Sequence, residues 1–245
     1  MEIKIQALKK NYGQKTVLDN ISLTIGNGMF GLLGRNGAGK TTLLQILSTL
    51  GEPTSGTVIF DKIPLEDTRK IRPLIGFLPQ EFSLYPDMSV QEIMRYLAAL
   101  SNLPMEVQRQ RIPELLKRVN LWEDRGKKVR KLSGGMKRRL GIAQALLHDP
   151  QVLIADEPTV GLDPQERLRF YELLREFSSS RVVIVSTHIV SDIEAMCERV
   201  AVLDAGKLLF TGTVEALAQK ATHRAATVED GYMEMLRQLE REVEI

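Results

Sequence analysis

The chain has 245 residues, 43% of them hydrophobic and 26% charged, and its 33 basic and 31 acidic side chains leave a net charge of +2. That length accommodates one large domain or two small ones with a sizeable core, and the balanced charge argues against bulk nucleic-acid binding, which needs a basic face. The single cysteine, Cys197, excludes an internal disulfide framework and suits a reducing compartment.

Residues Met1 to Ile5 contain no basic segment followed by an apolar stretch, so no secretory leader is expected. Ile3–Leu8, Val17–Ile25 and Thr57–Phe60 alternate polar and apolar residues, the pattern of an antiparallel β layer. Met29–Gly34 is instead a short apolar run, and Val152–Asp156, Val182–Ser186 and Val200–Asp204 repeat that pattern later in the chain. Each reads as a buried strand leading to a loop or helix, which predicts a mainly parallel sheet covered by helices. No run approaches the roughly 18 apolar residues of a membrane-spanning helix, so any membrane role falls to a partner.

The first apolar strand runs into Gly34, Arg35, Asn36, Gly37, Ala38, Gly39, Lys40 and Thr41, a full match to the phosphate-loop pattern. A helix with apolar positions Leu43, Ile46, Leu47 and Leu50 is expected to lead out of it. Glycines let backbone N–H groups approach phosphates, Lys40 offers charge to the β and γ groups, and the Thr41 hydroxyl suits Mg²⁺.

The middle of the chain changes character. Val90, Ile93, Met94 and Leu97 are spaced i, i+3, i+4, i+7, as are Ile112, Leu115, Leu116 and Val119. Ser89 with Glu92 forms a capping-box signature, and Met88 with Ile93 the matching hydrophobic staple. Ser89–His148 therefore reads as a mostly helical insertion. Arg125–Lys131 holds five basic residues in seven, and Lys137, Arg138 and Arg139 continue the theme; a solvated loop and helix face is the favoured reading.

Within that insertion Leu132–Met136 reads L-S-G-G-M. Ser133 is a good N-cap, Gly134 and Gly135 leave the first amides bare, and Met136, Leu140, Ala143 and Leu147 form an apolar helical stripe. A helix N-terminus with bare donors is a ready anion site. One phosphate site is already complete, so this reads as half of another.

Val152–Asp156 is an apolar strand whose end carries two carboxylates, Asp156 and Glu157. Asp156 is placed to reach Mg²⁺ and Glu157 to polarise an attacking water. Gln80 follows the apolar strand Ile75–Leu78, and His188 follows Arg181–Thr187. Taken singly, Gln80 suits a polar loop and His188 a surface cap. Cys197 falls in a helix-like run, Asp192–Arg199, as a small buried hydrophobe. The tail repeats helical spacing at Val228, Tyr232, Leu236, Leu239 and Val243, with Gly231 as its weak point.

Together these residues resemble the ATP-binding subunit of an ABC transporter over nearly the whole chain. The resemblance implies an α/β P-loop NTPase core of mainly parallel sheet with an antiparallel β layer and an inserted helical subdomain. Its expected bounds are 1–82 and 150–220 for the core, 83–149 for the helices and 221–245 for a C-terminal extension. It implies that ATP and Mg²⁺ bind, with Gly34–Thr41 and Thr42 around the phosphates, Tyr12 stacked on adenine, and Thr41, Gln80 and Asp156 at the metal. Glu157, His188 and Gln80 orient the water. Ser133, Gly134, Gly135 and Asp163, in the Gly161–Asp163 loop, face a second subunit, and separate transmembrane permease subunits dock near Gln80–Pro86. This implies a peripheral protein on the cytoplasmic side of the cell membrane, without nucleic acid.

Pro158–Pro164 and Val228–Tyr232 look most like the type-2 exporter subgroup. Met136 departs from the family's usual glutamine, Arg35 from a common proline, and Ala155 from a bulkier apolar residue; none removes a group the chemistry needs. The alternative is a soluble ABC-type ATPase acting on a nucleic-acid or ribosomal partner, which would need a long coiled-coil insertion or a second cassette. A small-molecule kinase has no use for Leu132–Met136, and a GTPase would show an Asn-Lys-x-Asp motif that is missing here.

Overall fold

The computed structural model describes residues 1–221 and 227–243, with side chains described through Arg237. Leu239 and Val243 of the expected tail stripe therefore lie outside the described side chains.

The chain opens with an antiparallel hairpin, β1 (Ile3–Tyr12) and β2 (Lys15–Ile25), joined on its other side by β4 (Ser55–Phe60) and the short β5 (Ile63–Pro64), in the order β2-β1-β4-β5. Alternation buries Ile3, Ile5, Leu8, Leu18, Ile21, Leu23 and Ile25. Strict alternation from Ile5 would bury Ala7. A register shift, with Ala7 at φ 49°, brings Leu8 inside instead.

The second sheet has six strands. β3 (Gly28–Leu33), β6 (Ile75–Leu78), β7 (Val152–Asp156), β8 (Val182–Thr187) and β9 (Arg199–Asp204) run parallel, and β10 (Lys207–Thr213) closes one edge antiparallel, in the order β10-β9-β3-β8-β7-β6. Both faces of this sheet are covered, which is why its strands are continuous apolar runs. Val152, Ile154, Val182 and Ile184 point into one core, shared with the antiparallel layer and with α1 (Lys40–Leu47). Leu153, Ala155, Val183 and Val185 point into the other.

That second core is closed by three helices that lie between β6 and β7 in the chain, α3 (Val90–Leu100), α4 (Met105–Arg118) and α5 (Gly134–Ala145), with the four-residue α2 (Thr68–Ile71) preceding β6. The capping box at α3 is formed in full: Glu92 N–H donates to Ser89 Oγ at 3.3 Å, and Ser89 N–H to Glu92 Oε2 at 2.7 Å. Helices α6 (Pro164–Ser178) and α7 (Val190–Met196) flank β8, and α8 (Val214–Ala218) and α9 (Val228–Val243) complete the fold.

Three expected elements differ. The helix after the phosphate loop stops at Leu47, capped by Ser48, and Thr49 turns left-handed (φ 61°), so Leu50 is 68% exposed rather than part of the buried stripe. The run Asp192–Arg199 is helical only to Met196; Cys197 is extended, buried, and Arg199 begins β9. Gly231 is not a weak point, since α9 runs through it. A Cβ there would lie 1.9 Å from the Leu217 carbonyl oxygen, so the glycine permits the close approach of α8.

Candidate active site

The loop between β3 and α1 sits at the carboxyl end of the parallel sheet, where open α/β sheets place their ligands. Gly34 is fixed by packing, because a Cβ would meet the Leu203 carbonyl oxygen at 2.3 Å. Gly39 caps α1 in the left-handed region, φ 103°, with Leu18 and the Val17 carbonyl against it. Lys40 is 5% exposed, and its ammonium donates to Gly34 O at 2.6 Å and Arg35 O at 3.2 Å. Arg35 forks onto Asp204 at 3.1 and 3.2 Å, so its charge is directed sideways against β9.

A cleft of about 650 Å³ opens over this loop. Arg35–Thr42, Gln80 and Glu157 line it, together with Lys15, Thr16, Val17, Ala205 and Gly206, which the sequence did not single out. Asp156 ends β7 as a buried side chain and accepts a hydrogen bond from the Ser186 hydroxyl of the neighbouring β8. Glu157 follows at φ 47°, a left-handed conformation that costs about 1–2 kcal/mol for a residue with a Cβ. Its N–H donates to Ser186 Oγ at 3.0 Å. Its carboxylate is buried, with Oε2 2.9 Å from His188 Nδ1. Oε1 accepts no hydrogen bond and lies 3.4 Å from the Lys40 ammonium. That oxygen is thus ion-paired with the phosphate-loop lysine while its hydrogen-bonding capacity stays unused.

Tyr12 is not brought into the cleft. It ends β1, 53% exposed, pairs across the hairpin with Lys15 of the cleft wall, and carries the Lys10 ammonium 4.8 Å from its ring centroid.

The Ser133 turn does not line this cleft either. Met136 N–H donates to Ser133 Oγ at 3.1 Å, making the predicted cap. Gly134 opens on a second cleft of about 640 Å³ with Gln80–Ser83, Lys137, Arg138, Val160 and Gly161. Gly135 is not bare: the Glu166 carboxylate lies against it, 2.1 Å from where a Cβ would be. Met136 is partly buried against the helical core, as its place in the stripe required. Asp163 caps α6, accepting from Glu166 N–H at 2.8 Å.

The reading of Lys137–Arg139 as a solvated face fails at Arg138. That side chain is 7% exposed and donates inward to main-chain carbonyls. Arg139 also bonds inward, to the Val119 and Asn120 carbonyls at 3.1 and 2.9 Å. Arg125–Lys131 keeps its surface character, with Lys127 paired to Asp124 and Arg130 to Asp87.

A phosphate loop at a sheet's carboxyl end, with a buried acid pair on the strand two places away, defines a P-loop nucleotide hydrolase. The ABC transporter family profile matches residues 18–160. The chain is 39% identical over 214 residues to Nod factor export ATP-binding protein I of Ralstonia nicotianae, covering 86% of this chain and 66% of that protein. It is 35% identical over 221 residues to linearmycin resistance ATP-binding protein LnrL of Bacillus subtilis, covering 89% and 71%. A solved ATP-binding subunit of an ABC transporter superposes with TM-score 0.87 at 26% identity, over 96% of this chain and 100% of that one. A dimeric ATP-binding cassette in a post-hydrolysis state with ADP and Pi gives TM-score 0.78 at 29% identity, over 86% and 98%. The chain belongs to the ABC transporter family and is an ATP-binding, ATP-hydrolysing domain of it. The first of these relatives is spanned over slightly less than two thirds of its length.

Proposed function

We propose that this chain powers export through separate membrane permease subunits, as a peripheral homodimer on the cytoplasmic side of the cell membrane. Export relatives and the dimeric cassettes support that reading, and no helix among the described residues is long and apolar enough to cross a membrane. A core of 1–82 and 150–220 binds nucleotide, residues 83–149 carry the helical subdomain, and 221–245 extend it. The permease docks near Gln80–Pro86.

The amides of Gly34–Thr42 cradle the triphosphate, with Lys40 supplying positive charge at the floor of the cleft. Tyr12 stacks on adenine; its pairing across the hairpin with Lys15, which lines the cleft, supports that role. Thr41, Gln80 and Asp156 offer hydroxyl, amide and carboxylate oxygens, a hard-donor set that fits Mg²⁺. An ion held by them would supply neutralisation of charge on the phosphate oxygens. Glu157 Oε1 takes a proton from water as that water attacks the γ-phosphorus in line, and the bond to the ADP oxygen breaks. His188 holds the other oxygen of Glu157 and so fixes the direction of the base. Ser133, Gly134, Gly135 and Asp163 of the partner close each site.

The observation that carries this reading is the buried Glu157 Oε1, which accepts no hydrogen bond and faces the Lys40 ammonium at 3.4 Å. Glu157→Gln keeps the shape and loses the base. Turnover is expected to fall by at least about 100-fold, a usual contribution of general-base catalysis, while ATP binding persists and the ATP-bound dimer accumulates. Near-normal hydrolysis by this variant, measured as phosphate release, would remove Glu157 from the role.

A further inference from the structure

Arg138 lies in the second turn of α5, and Ser133 caps the first turn of the same helix. Its guanidinium has five N–H donors. They meet five main-chain carbonyls: Pro158 O from Nε at 3.0 Å, Pro79 O and Gln80 O from Nη1 at 3.0 and 2.7 Å, and Asp156 O and Glu157 O from Nη2 at 2.9 and 2.5 Å. The Phe82 ring lies 5.9 Å from the guanidinium carbon. No donor is left over.

Those carbonyls come from two chain segments. β6 and β7 pair as far as Leu78 and Ala155, and beyond that point the strands part. Arg138 fills the fork between them. On one side it holds the Gln80 segment, on the other Asp156 and Glu157. A solvated charge would make none of these bonds, and an arginine needed only to anchor α5 has no reason to select the main chain of those residues from both strands.

We propose that Arg138 is a positioning residue that couples the two ATP sites of the dimer. It ties the Ser133 turn, which closes over the partner's nucleotide, to the segments that orient metal and water for this chain's own nucleotide. α5 is a stiff rod with a rise of about 1.5 Å per residue, so a shift of its first turn moves Arg138 and the five carbonyls together. Engagement of the partner's ATP thereby sets the position of Gln80 and Glu157 in cis. The proposal rests on the roles given above to Ser133, Gln80 and Glu157.

The test uses the full chain with Arg138→Lys and Arg138→Gln, measuring phosphate release against ATP concentration, binding of a fluorescent ATP analogue, and thermal unfolding. Arg138→Lys keeps the charge while losing the fork, so it serves if Arg138→Gln does not fold. Expected are a fall in kcat of about tenfold or more, since misplacing reacting groups by an ångström can cost about 100-fold, and a Hill coefficient moving towards one. Nucleotide affinity stays within about twofold, because the phosphate loop is untouched. An unchanged kcat and Hill coefficient in folded Arg138→Lys overturns the proposal. So does a parallel loss of affinity, kcat and melting temperature, the mark of a structural anchor. Glu157→Gln assayed alongside separates the failures: if it still hydrolyses ATP, the underlying site assignment is wrong, whereas if it is dead and Arg138→Lys is normal, only the coupling is wrong.

Discussion

Asp192 is fully enclosed, and its carboxylate collects Thr159 Oγ1 at 2.5 Å, the Tyr171 hydroxyl at 2.6 Å, Arg167 at 3.4 Å and Thr187 at 3.5 Å. Burial first, and then this carboxylate, pushes the Tyr171 hydroxyl well above its usual ionisation range. One side chain thus joins the segment after Glu157, helix α6 and the strand end before His188. Asp192→Ala strands three hydroxyls and a guanidinium, and is expected to cost about 3–5 kcal/mol, the usual range for breaking a buried ionic group's partnerships; Asp192→Asn, which keeps an acceptor, costs less. Urea unfolding decides it, and a loss within about 0.5 kcal/mol, the range of ordinary surface changes, would mean the network is not structural. His148 acts on stability through pH. Burial is the main cause holding its pKa below the ordinary histidine value, against the opposing pull of the Ile75 carbonyl at 3.0 Å. A depressed basic group contributes in full above the unfolded value, and its contribution is lost as pH falls, because the unfolded chain takes up a proton the folded chain resists. Urea midpoints therefore drop from about pH 7.5 to about pH 5.5, and His148→Gln flattens part of that drop.

Gly231 illustrates what an element needs from its neighbour. In an exposed helix Gly→Ala gains about 1 kcal/mol. Here the new methyl would strike the Leu217 carbonyl oxygen, so Gly231→Ala is expected to push α9 off α8 and to lower stability by about 1–3 kcal/mol, as overpacking does. Faster proteolysis of the C-terminal segment with an unchanged core reads out that separation; a raised melting temperature would show that α8 can yield. Periodicity made the strands and most helices legible, because a sheet buried on both faces must be written as apolar runs and a capped helix as spaced apolar residues. The phosphate loop and the order of Gln80, Asp156, Glu157 and His188 were legible for the same reason, each ending or following a strand. Arg138 was not: between Lys137 and Arg139 it looks like one more surface charge, and its partners are carbonyls, which carry no residue identity. Nor was the left-handed turn at Glu157, the bulge at Ala7, or the carboxylate of Glu166 covering Gly135, since each depends on what another segment brings near.

At the scale of the molecule, the phosphate loop and the Ser133 turn open on two different clefts, which share only Gln80 among the residues that line them. On the function proposed above, the chain carries both halves of a phosphate site without joining them, and two copies arranged head to tail would satisfy both. The dimeric cassettes that share this fold support that assembly. Ser133→Arg separates the two halves cleanly. It removes a helix cap worth about 1 kcal/mol and sets a bulky side chain where the proposed function puts the partner's triphosphate, while leaving the phosphate loop of its own chain intact. Monomers of the variant are expected to bind ATP as before, whereas hydrolysis and ATP-dependent dimerisation are lost. In the Glu157→Gln background, where ATP-bound dimers accumulate, light scattering after gel filtration gives a dimer for Ser133 and a monomer for Arg at that position. Persistence of the dimer in Ser133→Arg would mean that the turn does not touch the partner's nucleotide, and the reason for the glycines after it would have to be sought in the packing against Glu166 alone.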